Sequence, residues 1–102
     1  FSWAVSAGKA RVWQKPSAET TEGTGIFINC SHPKIKNFDF INFYRQVPGR
    51  SPTFIIYGQA GSKAVKTPAG SLTVAANRGS SALWISRPRR GDAGVYYCAL
   101  GT

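Results

Sequence analysis

The stretch RGDAGVYYC, Arg90 to Cys98, passes from a turn into a β-strand. Gly91, Asp92 and Gly94 are turn-forming residues, and beyond them the side chains alternate. With a two-residue period, Tyr96 and Cys98 share one face of the strand and Tyr97 takes the other. A cysteine and a large aromatic side by side on one face mark that face as core.

Working outward, the same pattern recurs about every ten residues, between clusters of Gly, Pro, Ser and Asn, with no helical periodicity. Candidate strands are Arg11 to Lys15, Gly25 to Ser31, Phe40 to Val47, Thr53 to Gly58, Ser71 to Ala75, Ser81 to Ser86 and Gly94 to Leu100. In Gly25 to Ser31, residues Ile26, Ile28 and Cys30 fall on one face and Phe27 and Asn29 on the other. In Ser81 to Ser86, Leu83 and Ile85 oppose an outward Trp84. Seven short strands in 102 residues fit one antiparallel β-sandwich, each sheet turning an alternating face inward.

Cys30 and Cys98 lie 68 positions apart, too wide for a redox or zinc CxxC pair. They read as one disulfide bridging the sheets, which implies an oxidising, secretory or cell-surface setting; two free buried thiols in a reducing compartment are the alternative. Residues 1–10, FSWAVSAGKA, read as the tail of a leader peptide, or else as an N-terminal strand extension, ahead of a domain over 11–102. No stretch has the ~20 apolar residues of a membrane span, so any membrane anchor is expected in a part outside this sequence.

Thirteen Lys and Arg stand against Glu19, Glu22, Asp39 and Asp92, a formal charge of +9. The basic residues are scattered rather than interleaved with aromatics along a stripe, and the one dense group sits in the turn-like RPRRGD (Arg87 to Asp92), so no specific nucleic-acid partner is expected. An enzyme finds no support either. The single histidine, His32, has no nucleophile or metal-ligand spacing near it, and no glycine-rich phosphate loop is present; no cofactor and no metal are expected.

Cys30 is followed thirteen residues later by Phe43 in FYRQVPG, and Cys98 ends RGDAGVYYC. Together these resemble the immunoglobulin variable-type pattern: a cysteine, a core aromatic on the next strand followed by Tyr, Arg and Gln, then D-x-G/A-x-Y-x-C. FYRQVPGRSPTFIIY and YYCALG resemble T-cell receptor alpha or delta variable segments; an antibody light chain or an innate cell-surface receptor is the other variable-type reading. The implied fold is an all-β, immunoglobulin-like antiparallel sandwich of V-type lacking most of its final, joining-segment strand.

The resemblance assigns roles. Tyr96 is expected as the tyrosine corner, its hydroxyl bonding backbone near the Asp92 turn. Phe43 stands where the family usually has a tryptophan packed on the disulfide. Where the family commonly has a basic partner for the aspartate, this chain has Ser71, so Arg45 is expected to pair with Asp92. Tyr44, Gln46, Pro52 and Tyr97 form the expected face for a second variable domain, from a T-cell receptor beta or gamma chain, with Gln46 meeting a partner glutamine. Lys34, Lys36, Asn37, Phe38 and Asp39 in a first loop, Gln59 and Lys63 in a second, and Ala99 and Leu100 opening a third are the expected contacts to peptide–MHC or an MHC-like ligand at the cell surface. Asn29-Cys30-Ser31 also fits the N-glycosylation tripeptide, although its Asn lies mid-strand beside a cysteine.

Overall fold

The computed structural model describes residues 2–5, 12–15 and 17–101. These form nine strands: β1 (Ser2–Val5), β2 (Ser17–Glu19), β3 (Ile26–Ser31), β4 (Phe40–Gln46), β5 (Thr53–Gly58), β6 (Gly61–Lys66), β7 (Ala69–Val74), β8 (Ser80–Ile85) and β9 (Val95–Gly101), with a 3-10 turn over Arg90–Asp92. Two sheets result, ordered β2-β1-β9-β4-β5 and β3-β8-β7-β6. All pairings are antiparallel except β1 with β9, which run parallel. The all-β sandwich expected from the alternation is the fold.

The inward rows are those the two-residue period selects. Ile26, Ile28 and Cys30 of β3, Leu72 and Val74 of β7, and Leu83 and Ile85 of β8 face Ile41 and Phe43 of β4 and Tyr96 and Cys98 of β9. Phe43 and Tyr96 are wholly excluded from solvent, so each contributes on the order of 1.5–3 kcal/mol of burial. Cys30 and Cys98 are disulfide-bonded with Cα atoms 6.4 Å apart, joining β3 of one sheet to β9 of the other. Phe43 sits opposite Cys98 on the neighbouring strand, placing its ring in the layer of the bridge. Gln14 is buried too: its Oε1 accepts the backbone N–H of Cys98 at 3.1 Å, bracing the strand beside the disulfide.

Four elements differ from the expected set, one of them the short β2 (Ser17–Glu19), which no expected strand covers. Of Arg11 to Lys15, Arg11 lies outside the described residues and Trp13 makes only an isolated bridge to Ser31, although Val12 and Gln14 do turn inward and Trp13 and Lys15 outward. β6 was not expected at all. It is a sheet edge whose six residues bury only Val65, which leaves no alternation to read. β1 falls within the stretch expected as a leader remnant or extension; Phe1 and residues 6–10 of that stretch lie outside the described residues, as does Thr102.

Candidate pairing face and loop surface

The outer face of the β9-β4-β5 layer is built from residues that alternate away from the core. Tyr44 lies opposite Tyr97 on β9 and Phe54 on β5. The Tyr44 and Tyr97 rings stack with centroids 5.3 Å apart and an interplanar angle of 20°. Phe54 meets the edge of Tyr44 at 5.7 Å, and further along the face Phe40 meets Tyr57 at 5.7 Å. Such offset and edge-on contacts hold the rings in place beyond simple burial. Phe54 and Tyr57 nevertheless remain half exposed, and Val47 and Pro52 add exposed apolar surface alongside. A contiguous ordered aromatic patch on a sheet exterior has the composition of an interface core.

Of the residues expected on a pairing face, Tyr44 and Gln46 of β4 and Tyr97 of β9 alternate outward here, and Pro52 immediately precedes β5. Phe54 and Val47 were missed. In FIIY every residue is apolar, so no alternation separates inside from outside, and the register shift between Phe43 and Tyr44 moves the pairing by one. Gln46 donates from Nε2 to the Arg50 carbonyl at 2.9 Å, across the turn that follows its strand. That bond uses one of the two amide N–H groups.

The base of the same strands holds Tyr96. Its hydroxyl donates to the Asp92 carbonyl at 2.6 Å, forming the tyrosine corner. Burial pushes its phenol well above the ordinary value, with the Asp92 charge adding to the rise and the nearby Arg45 opposing it. The expected Arg45–Asp92 ion pair is not what forms. Arg45 donates from Nη2 to the Gly91 carbonyl and lies 5.9 Å over the Tyr96 ring. The Asp92 carboxylate instead accepts the Arg89 backbone N–H at 2.9 Å and caps its own 3-10 turn. The turn brings the carbonyl edge, not the carboxylate, towards β4, and a local backbone donor satisfies the charge with no long side chain to order.

At one end of the sandwich three connections converge. The β3–β4 loop, residues 32–39, presents Lys34, Lys36, Asn37 and Phe38 to solvent, Phe38 with 62% of its surface exposed. Asp39, expected beside them as a ligand contact, is buried. Its Oδ2 accepts the Lys36 backbone N–H at 2.9 Å, so the carboxylate closes the loop from within. Gln59, between β5 and β6, is exposed. Lys63 is exposed on β6 and tied back, donating to the Tyr57 carbonyl at 2.7 Å with its ammonium 4.0 Å over the Tyr57 ring. Ala99 and Leu100, expected to open a third loop, lie within β9, opposite Asn42 and Ile41, with Leu100 packed against the core. They continue the strand because the alternation through Tyr96 and Cys98 carries on to Leu100 on the inward side.

Arg78, in the β7–β8 turn, connects the first two loops. Its Nε donates to the Gln59 carbonyl at 2.8 Å, Nη1 to the Lys36 carbonyl at 3.1 Å and Nη2 to the Asp39 carbonyl at 2.6 Å. The residue holds φ of 59°, a conformation that costs a non-glycine side chain and is sustained here by the bonds its guanidinium makes. Nothing in the sequence flags this residue, since Asn77-Arg78-Gly79 reads as an ordinary basic turn. Beneath it, His32 is buried with Nε2 3.0 Å from the Ser81 hydroxyl, fixing the start of the first loop to β8.

The family model for the immunoglobulin V-set domain matches residues 14–102. Human T cell receptor alpha variable 2 is 32% identical over 98 residues, covering 96% of this chain and 82% of that protein. Human T cell receptor alpha variable 29/delta variable 5 is 33% identical over 86 residues, covering 82% and 70% respectively. A crystal structure of a chicken TCR matches with a TM-score of 0.83 and 58% identity, covering 88% of this chain; the chain spans 46% of that receptor chain. With the disulfide, the tyrosine corner and the two-sheet order in place, this chain belongs to the immunoglobulin V-set family, as a variable domain of the T-cell receptor type.

Proposed function

We propose that this domain recognises antigen as part of a T-cell receptor alpha or delta chain, pairing with the variable domain of a beta or gamma chain and meeting peptide–MHC or an MHC-like ligand through its loops at the cell surface. The observation that carries the reading is the ordered aromatic patch of Tyr44, Phe54 and Tyr97 on the outer β4-β5-β9 face. It is flanked by Gln46, whose second amide N–H and Oε1 suit a reciprocal bond to a partner glutamine. Rings already held in place by one another lose little freedom on association, which favours a stable interface.

Sedimentation of the refolded domain mixed with a T-cell receptor beta or gamma variable domain tests the pairing. A one-to-one complex is expected, lost in Phe54→Glu, while the melting temperature of the isolated variant stays close to that of the parent because the position is half exposed. Unchanged association in Phe54→Glu and Tyr44→Glu would overturn the assignment of the face. Pairing with an antibody heavy-chain variable domain instead would favour the antibody light-chain reading. For the loops, Lys34→Glu and Lys36→Glu are expected to slow association with an acidic ligand surface and weaken its salt dependence. Equal on-rates for parent and variants in a surface-binding assay would remove these lysines from the contact.

A further inference from the structure

The sheet on the other side of the sandwich carries a second feature that pairing and loop recognition leave unused. A groove of about 630 Å³ runs over the outer face of β3, β8 and β7, and the side chain of Asn29 is on its lining. Asn29 is exposed, at the middle of β3. Across the strands it lies opposite Ala82 on β8, which in turn lies opposite Thr73 on β7, so the row beside it is made of small side chains and the floor is low. Phe27 and Trp13 rise above that floor on either side, 56% and 59% exposed.

The period of the strand sets these positions. Phe27 stands two residues before Asn29 and Ser31 two after, so all three point to the same side, and Trp13 bridges to Ser31. Phe27 is backed by Trp84, ring centroids 4.5 Å apart. Trp84 in turn lies so close over Gly25 that a Cβ there would meet its ring at 2.1 Å. The Phe27 ring is therefore a supported, solvent-facing platform next to the asparagine of an Asn-Cys-Ser tripeptide, in a protein whose disulfide places it in the oxidising secretory route.

The geometry points to Asn29 as an N-glycosylation site whose first sugar is seated in this groove against Phe27 and Trp13. In the transfer, Asn29 Nδ2 forms a bond to the anomeric carbon of a lipid-diphosphate-linked oligosaccharide. The anomeric C–O bond breaks, the lipid diphosphate leaves, and the amide nitrogen gives up one proton. The attached N-acetylhexosamine has one face of C–H bonds, which packs on the electron-rich face of an aromatic ring as other positively polarised groups do. Its hydroxyls are left towards solvent and towards Thr73 and Ser31. The seat lies on the opposite side of the sandwich from Tyr44, Phe54 and Tyr97, so a glycan there leaves that face open.

The test is secretion of the chain from a eukaryotic cell, followed by intact mass before and after peptide-N-glycosidase. One glycan is expected, with Asn29 recovered as aspartate in the peptide spectrum, and Ser31→Ala is expected to abolish it. Phe27→Ala, at an exposed position that folding tolerates, is expected to lower occupancy several-fold. It is also expected to erase the higher melting temperature of the glycosylated form over the enzymatically trimmed one. A parent chain secreted with Asn29 unmodified overturns the site. Full occupancy together with the same glycan-dependent rise in melting temperature in parent and Phe27→Ala overturns the seat, and a protein partner that protects Trp13 and Phe27 in the unglycosylated chain would do the same.

Discussion

His32 shows how one buried side chain couples this fold to pH. Burial holds its imidazole below the ordinary 6.5, with the Arg78 charge acting in the same direction and the Arg78 and His32 carbonyls opposing. The folded state therefore prefers the neutral ring, and the unfolded chain takes up the proton first. The stability linked to His32 is fully present above about 6.5 and drains away as pH falls through the lower folded value. Thermal melts stepped downwards from pH 6.5 are expected to show a falling melting temperature before the carboxylates, ordinarily near 4, begin to titrate. His32→Asn, which keeps a polar group towards Ser81, is expected to flatten that slope. An unchanged slope in the variant would show that other groups carry it. Tyr96 and Asp39 mark the limits of reading single residues from sequence. The tyrosine corner is legible because its partner is a carbonyl four residues away. Asp39 reads as a loop charge, and only the folded loop turns its carboxylate inward on the Lys36 amide.

At the scale of elements, the loops are held by a neighbour rather than by their own sequences. Arg78 reaches two separate connections from the β7–β8 turn, so the relative position of the first and second loops depends on one guanidinium. Removing it leaves three carbonyls without a charged donor, a loss of about 1–2 kcal/mol given that the site is only partly buried. Arg78→Ala is expected to speed amide exchange at Lys36 and Asp39, whose N–H groups close the first loop, while amides of β3 and β8 stay protected. Arg78→Lys is expected to resemble Ala, because a single ammonium cannot span the three acceptors. Unaltered exchange at residues 36–39 in Arg78→Ala would count against the clamp. The strands themselves divide along the same line. β3, β8 and β9 were legible because each buries alternate residues against a core on one side only. β6 buries a single valine and shows no alternation, whereas β5 is legible as a strand over Thr53 to Gly58 but not as to which side faces inward, because FIIY is apolar throughout and a bulge shifts its register. Long-range pairing decides the existence of β6 and the facing of β5.

Across the whole molecule, the pairing face, the loops and the Asn29 groove are surfaces of one frame, and the frame is two thin sheets joined by the Cys30–Cys98 bond. A domain of 102 residues holds only a modest core, and this one spends its largest buried side chains, Phe43 and Tyr96, around that bridge. On the chain-entropy account, closing a loop of 68 residues contributes about 4 kcal/mol by restricting the unfolded chain. That is a large part of the roughly 5–15 kcal/mol of a typical domain. The double variant Cys30→Ala, Cys98→Val is therefore expected to lose about 4 kcal/mol of unfolding free energy in urea titrations, with a lower midpoint and a steeper transition because the unfolded chain without its cross-link exposes more surface. Because the effect acts on the unfolded chain, molecules that remain folded keep the Tyr44, Phe54 and Tyr97 arrangement. Binding to a partner domain should then weaken only in proportion to the folded fraction, measured on the same sample by near-ultraviolet circular dichroism. A midpoint unmoved by the double substitution would mean that the sheets are held by packing alone. Binding lost beyond the folded fraction would mean that the bridge shapes the pairing face directly.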